Sequence, residues 1–243
     1  VSEEDKLTEV LKDIGKKLSS FRTEKEFELH LYSRILPLLG WDPYDTNECC
    51  PEYSIKDGRI DYALLHKGKV TAFIECKRPQ HEIAENDKEQ IVKYAFRAGA
   101  RMILLTNARL WLIFYPFAPG KIDERLVVEA SIEQPEKLAE SLIRFFSKRN
   151  LLSGAAETQA RNLIESRQQE TEMQRTLREV VREFMENPSE LMMDEVAEEV
   201  EERCGLKPTQ ELVREAWREI FPSPPSTQPR EPPVVSPAVP RSR

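Results

Sequence analysis

Residues 58–79 read GRIDYALLHKGKVTAFIECKRP. Two apolar runs, 58–65 and 70–77, flank a short polar segment containing Gly68, the pattern of a β-hairpin. Both runs are apolar on both faces, as expected of strands covered on both sides. Three ionisable residues interrupt them: Asp61, Glu75 and Lys77. Inside apolar strands such groups are costly unless paired or bound to a cation. A three-residue loop, His66-Lys67-Gly68, sets Leu65 against Lys69 and Asp61 against Phe73. Period-two alternation then puts Glu75 and Lys77 on the face of Asp61, with Asp61 and Glu75 as diagonal neighbours. A two-residue loop moves the two carboxylates to opposite faces unless a bulge compensates.

Two carboxylates on one face suit a hard divalent cation such as Mg²⁺, which takes oxygen ligands. A lysine two residues beyond the second carboxylate can stabilise an attacking hydroxide or a pentavalent phosphate. The bland counterpart is a strand-borne ion pair, Lys77 with Asp61 or Glu75.

The rest of the chain builds an α/β frame around this hairpin. Residues 4–19 carry Leu7, Val10, Leu11, Ile14 and Leu18 at helical spacing. Thr23 and Glu26 fit a capping box for a second helix, which Pro37 should kink and Gly40 should end. Glu24, Glu26 and Glu28 at its start are within reach of a metal site. Capping for Glu26 and solvent for the other two are the plainer roles. A short strand is expected over 52–55 and a turn over 56–58. Arg78-Pro79 closes the hairpin. Residues 86–98 read as a helix, with Asn86 and Glu89 as a cap pair and Gly99 as its stop. Gln90 and Tyr94 share one face of it. Strands are expected over 102–106, 110–115 and 125–131, then a helix over 135–149. The order predicts an α/β sandwich around a mixed sheet.

Composition bounds the classes. The 243 residues include 33% charged residues, with a net charge of −7. Residues 1–150 are nearly neutral at −1; residues 151–243 carry −6. Net charge therefore makes no case for nucleic-acid binding. No run approaches the roughly 18 apolar residues of a membrane span. The opening VSEEDKL lacks the basic and apolar regions of a signal peptide. Cys49, Cys50, Cys76 and Cys204 show no metal-ligand spacing and no disulfide framework, so a reducing cytoplasm is the expected compartment.

Segments 23–28 (TEKEFE), 38–42 (LLGWD), 58–65 (GRIDYALL), 72–79 (AFIECKRP), 90–95 (QIVKYA) and 104–115 (LLTNARLWLIFY) occur in order. Together they resemble the N-terminal nuclease domain of type I restriction enzyme R subunits and their stand-alone relatives, within the PD-(D/E)xK nucleases. The resemblance implies a restriction-endonuclease-like α/β/α core and a metal-dependent site of Asp61, Glu75 and Lys77. It further implies Mg²⁺ or Mn²⁺ held by Asp61, Glu75 and the Cys76 carbonyl, a helix glutamate for which Glu26 is the choice, and Gln90 and Tyr94 in support. Ile60 stands where the family often has proline. The expected activity is endonucleolytic hydrolysis of DNA, of restriction or defence type. RNA is a further substrate class, and a catalytically silent adaptor binding nucleic acid or protein is the alternative. No Gly-x-x-x-x-Gly-Lys-[Ser/Thr] loop is present, so no motor is expected here, and a partner would supply translocation or targeting.

Beyond the expected nuclease domain, 1–150, residues 156–186 read as a long polar helix. Leu163, Met173, Leu177, Val180, Val181 and Phe184 form a narrow stripe on it. Shorter helices follow near 189–203 and 209–221. The region 151–221 is a candidate dimerisation module. Residues 222–243 hold eight prolines in 22 positions and read as a disordered tail.

Overall fold

The computed structural model describes residues 2–56 and 58–221. The expected proline-rich tail, 222–243, and Asp57 of the expected 56–58 turn lie outside the described residues. Helix α1 (Glu3–Lys17) opens on Ser2, whose hydroxyl accepts from the Asp5 N–H while the Asp5 carboxylate accepts from the Ser2 N–H. A short 3₁₀ turn, Leu18–Ser20, ends it. Helix α2 (Glu24–His30) runs on through a π-helical stretch, Leu31–Ile35, into a last turn, α3 (Leu36–Leu38), that contains Pro37. The expected proline-linked irregularity is thus a widened turn just ahead of Pro37.

Six strands then form one sheet in sequential order: β1 (Cys49–Ile55), β2 (Gly58–His66), β3 (Lys69–Cys76), β4 (Met102–Thr106), β5 (Leu110–Phe114) and β6 (Leu126–Ser131). Every neighbouring pair is antiparallel except β3 and β4. That parallel pair needs a crossover, supplied by helix α4 (Glu85–Ala98). The sheet is therefore mixed, as expected.

The β2–β3 turn corrects the expected loop. It is a two-residue turn, Lys67-Gly68, with both residues at positive φ (50° and 73°). Both central residues in that region match the right-handed twist of the flanking strands, which favours this turn over a longer one. Such a turn alone would separate Asp61 from Glu75. The register, however, shifts between Leu64, which faces Ala72, and Leu65, which faces Val70. Thr71 is the extra residue, and its hydroxyl donates to the Leu64 carbonyl at 2.8 Å. Beyond this bulge Tyr62 faces Ile74, and one step further brings Asp61 opposite Glu75. The carboxylates share a face as directly opposed partners, not diagonal ones.

Two apolar layers sandwich the sheet. On one side, α1, α2 and α5 (Pro135–Phe146) bury Leu7, Leu11, Phe27, Trp111, Phe145 and Phe146. On the other, α4 packs Ile91, Val92 and Ala95 against Phe73, Ile103 and Phe114. Helix α4 starts at Glu85, earlier than expected. The Asp87 carboxylate, not an Asn86–Glu89 pair, accepts from the Ala84 N–H at 2.9 Å. Gly99 ends it at a φ of 77°.

The first compact unit extends to Gln169, beyond the boundary expected at 150. After the short α6 (Lys148–Ser153), the long α7 (Ala155–Glu186) buries Ala156, Ala160 and Ile164 in the first layer's core. The two alanines let α7 lie close, and the spacing of four residues among all three marks one helical face. The second unit begins at Glu170. There α8 (Glu190–Cys204) and α9 (Gln210–Ile220) bury Met193, Ala197 and Val213, and the Trp217 indole donates to the Met185 carbonyl at 2.7 Å. Met173, Leu177, Val180, Val181 and Phe184 of α7 are solvent-exposed. Among the described residues no helix is long and apolar enough to cross a membrane, and all four cysteines are free.

Candidate metal-binding active site

Thr23 caps α2 through its hydroxyl, and Glu26 returns its carboxylate to the backbone N–H groups of Arg22 and Thr23 at 2.6 and 3.3 Å. Glu26 is thereby committed to the cap, which removes it as the helix glutamate of the site. The cap's geometry presents the flanking residues instead. Glu24 and Glu28, four apart, lie on one helical face. Oxygens of Glu24, Glu28 and Asp61 all fall within 4.8 Å of one another.

Glu28 is only 2% exposed. Its Oε2 accepts from Lys25 Nζ at 2.9 Å and from the Tyr62 hydroxyl at 3.2 Å. Its Oε1 is buried with no hydrogen-bond partner. A buried carboxylate oxygen without a donor is an unusual expense, and it calls for a cation or a water.

Asp61 and Glu75 interlock across the hairpin. The Cys76 N–H donates to Asp61 Oδ2 at 2.7 Å, and the Asp61 N–H donates to Glu75 Oε2 at 3.4 Å. Glu75 Oε1 accepts from Lys77 Nζ at 2.7 Å. Burial, then the Glu75 charge, push the Asp61 carboxyl up to about 7; Glu28 and Glu24 add to this, and the Cys76 N–H opposes it. Burial also raises Glu24, against the pull of Lys77. For Lys77 burial disfavours the charge, but the Glu75 hydrogen bond and the surrounding carboxylates outweigh it and hold the ammonium above its ordinary value. The Cys76 thiol is buried and pushed well up, so it stays a neutral core group. Four carboxylates thus face two ammonium groups, Lys25 and Lys77.

Gln90 and Tyr94 meet each other, Gln90 Nε2 donating to the Tyr94 hydroxyl at 3.1 Å. Tyr94 also lies over the start of β2. A Cβ on Gly58 would stand 2.6 Å from its hydroxyl oxygen and 2.9 Å from its Cζ. Gly58 is required for this close approach. Gly58→Ala is expected to cost about 1–3 kcal/mol of stability, as overpacking generally does. Tyr94→Phe, which removes the nearest atom, should recover part of that loss. Urea unfolding of the two variants and their combination checks this; an unchanged midpoint for Gly58→Ala would contradict it.

With this geometry in hand, comparison with known proteins identifies the central segment. Residues 44–118 match the family of type I restriction enzyme R protein N termini. No curated protein and no solved structure matches the chain. The matched segment takes in β1 through β5 and α4, and with them Asp61, Glu75, Lys77, Gln90 and Tyr94. Glu24 and Glu28 lie outside it, brought in by α2. Sequence reasoning ranked Glu28 behind Glu26, although the spacing of Glu24 and Glu28 carried the signal. It missed Lys25, whose Nζ lies 2.9 Å from Glu28 Oε2 and 2.7 Å from Glu52 Oε1.

Proposed function

We propose that the chain is a metal-dependent nuclease that hydrolyses phosphodiester bonds in DNA, with its site at the open end of the β2–β3 hairpin. The observation that carries this reading is the buried, unpartnered Glu28 oxygen beside Asp61 and Glu24, within a set of all-oxygen donors suited to a hard cation. Glu28, Glu24 and Asp61 would hold Mg²⁺ or Mn²⁺, with Glu75 and the Cys76 carbonyl as further oxygen donors. A cation held there supplies charge neutralisation for the phosphate and acidifies a water.

The protein's own groups do the positioning. Glu75 anchors the Lys77 ammonium at 2.7 Å, aiming a proton donor at the water or at a phosphate oxygen as negative charge accumulates. The Cys76 N–H fixes one Asp61 oxygen, holding the carboxylate beside Glu24 and Glu28. Gln90 and Tyr94 support the start of β2 from the α4 side. The exposed α7 stripe is a surface through which two copies would associate.

The test is incubation of the chain with supercoiled plasmid and Mg²⁺ or Mn²⁺. Nicked or linear product that EDTA abolishes is the expected result. Cleavage of RNA alone would move the assignment to RNA. Failure to cleave either, together with no Mn²⁺ binding, would sink the enzymatic reading and favour a silent adaptor.

A further inference from the structure

Lys25 stands at the mouth of the acidic cluster, shared between two carboxylates. Its Nζ is 2.9 Å from Glu28 Oε2 and 2.7 Å from Glu52 Oε1. The two acids differ in setting. Glu28 is buried and has an orphaned second oxygen. The Glu52 side chain is 46% exposed and is also held by Arg59 at 3.2 Å. Glu52 comes from β1, between Pro51, which faces Tyr62, and Tyr53, which faces Ile60. That places it across from Asp61. Its φ is 50°, in the left-handed region that glutamate rarely adopts. No turn requires this, because β1 continues on both sides of it. Strain of this kind at a site-facing residue points to a role for where the side chain is sent.

We propose that Lys25 is the built-in counter-ion of the cation-free site, and that Glu52 is its alternative anchor, drawing it off Glu28 when a divalent cation binds. The inference rests on the metal-site reading above. A cation and the Lys25 ammonium compete for the same Glu28 carboxylate, so one must yield. The ammonium is already shared with Glu52, and its flexible, 62% exposed stem lets it shift without unfolding the helix. Glu28 is thereby never left uncompensated, and its release to the metal needs only a small movement. Lys25 and Glu52 are positioning residues here, acting through Glu28.

The test is Mn²⁺ binding to the full chain, followed by calorimetry and by the paramagnetic resonance of free Mn²⁺, with Mn²⁺ alone as the probe. Lys25→Met should tighten binding roughly tenfold, within the usual range of coupling between two ligands of one site. Lys25→Arg should stay near wild type. Glu52→Gln should weaken binding several-fold, because Lys25 then rests on Glu28 alone. In a Lys25→Met background, Glu52→Gln should have little further effect. An equal weakening in both backgrounds would mean that Glu52 acts only through space, and it would overturn the inference. So would unchanged or weaker binding by Lys25→Met. Absence of any Asp61-dependent Mn²⁺ binding in the wild type would instead overturn the metal-site reading, and this inference with it.

Discussion

Asp61→Asn protein should be more stable than wild type at pH 8 in EDTA, yet cleave DNA at least ~10³-fold more slowly in Mg²⁺. The two effects have one origin. Asp61 is buried against Glu75, Glu28 and Glu24, which lifts its carboxyl to about 7 in the folded chain. In the unfolded chain it should titrate near its ordinary ~3.9. Between these values the folded state keeps a proton that the unfolded state has lost. Stability attributable to this group therefore falls as pH rises from about 4 to about 7, and above 7 the wild type bears the whole penalty, on the order of a few kcal/mol. Asparagine is neutral throughout, and its amide oxygen can still accept from the Cys76 N–H. The two proteins should converge in melting temperature below about pH 4 and separate above it. Saturating Mn²⁺ should restore the wild type by about 2.7 kcal/mol at a hundredfold excess over Kd, and should leave the variant nearly unmoved. Melting curves from pH 4 to 8, with and without Mn²⁺, decide the matter. A variant that melts lower than wild type at pH 8 without metal would contradict the argument.

That coupling explains how much of the site could be read from sequence. Charged residues within apolar strands are conspicuous because their burial is costly, so Asp61, Glu75 and Lys77 stood out at once. Their common face followed from period-two alternation. The way the chain achieves it did not: Lys67-Gly68 makes the tight turn and Thr71 makes the bulge, and a bulge leaves no composition signal beyond a threonine in a strand. The α2 acids show the opposite difficulty. Glu24, Glu26 and Glu28 are alike in type, and only the cap distinguishes them. Once Thr23 takes the N-cap, Glu26 must turn back to the backbone, and the site receives its neighbours at i−2 and i+2. The helix starts failed in the same way. Asn86 is a competent cap residue, but the helix starts two residues earlier: Ala84 takes the N-cap position, and Asp87, three residues on, returns its carboxylate to the Ala84 N–H. The first unit's extension into α7 was hidden because Ala156 and Ala160 are too small to announce a buried face.

Lys77→Ala should separate metal binding from chemistry. Lys77 is held by Glu75 at 2.7 Å, with its side chain 22% exposed, so its ammonium faces the cluster and not bulk water. Removing it takes one positive charge from a group of four carboxylates and two lysines. Electrostatics then favours a divalent cation at least as strongly as before, and the Mn²⁺ Kd should be unchanged or lower. On the proposed mechanism cleavage should nevertheless fall by about 10³-fold, because the donor assigned to Lys77 would act on charge that develops only in the transition state. Glu75 would lose its ion-pair partner and, among the described residues, keep the long bond from the Asp61 N–H, at a cost of about 1–3 kcal/mol in stability without metal. Lys77→Arg keeps the charge but not the compact donor, and should recover the stability more fully than the rate. A structural role for Lys77 would give a different pattern, in which rate, metal affinity and stability decline together and Arg restores all three in step. Single-turnover cleavage measured at saturating Mn²⁺ distinguishes the patterns, since there a change in metal affinity no longer affects the rate.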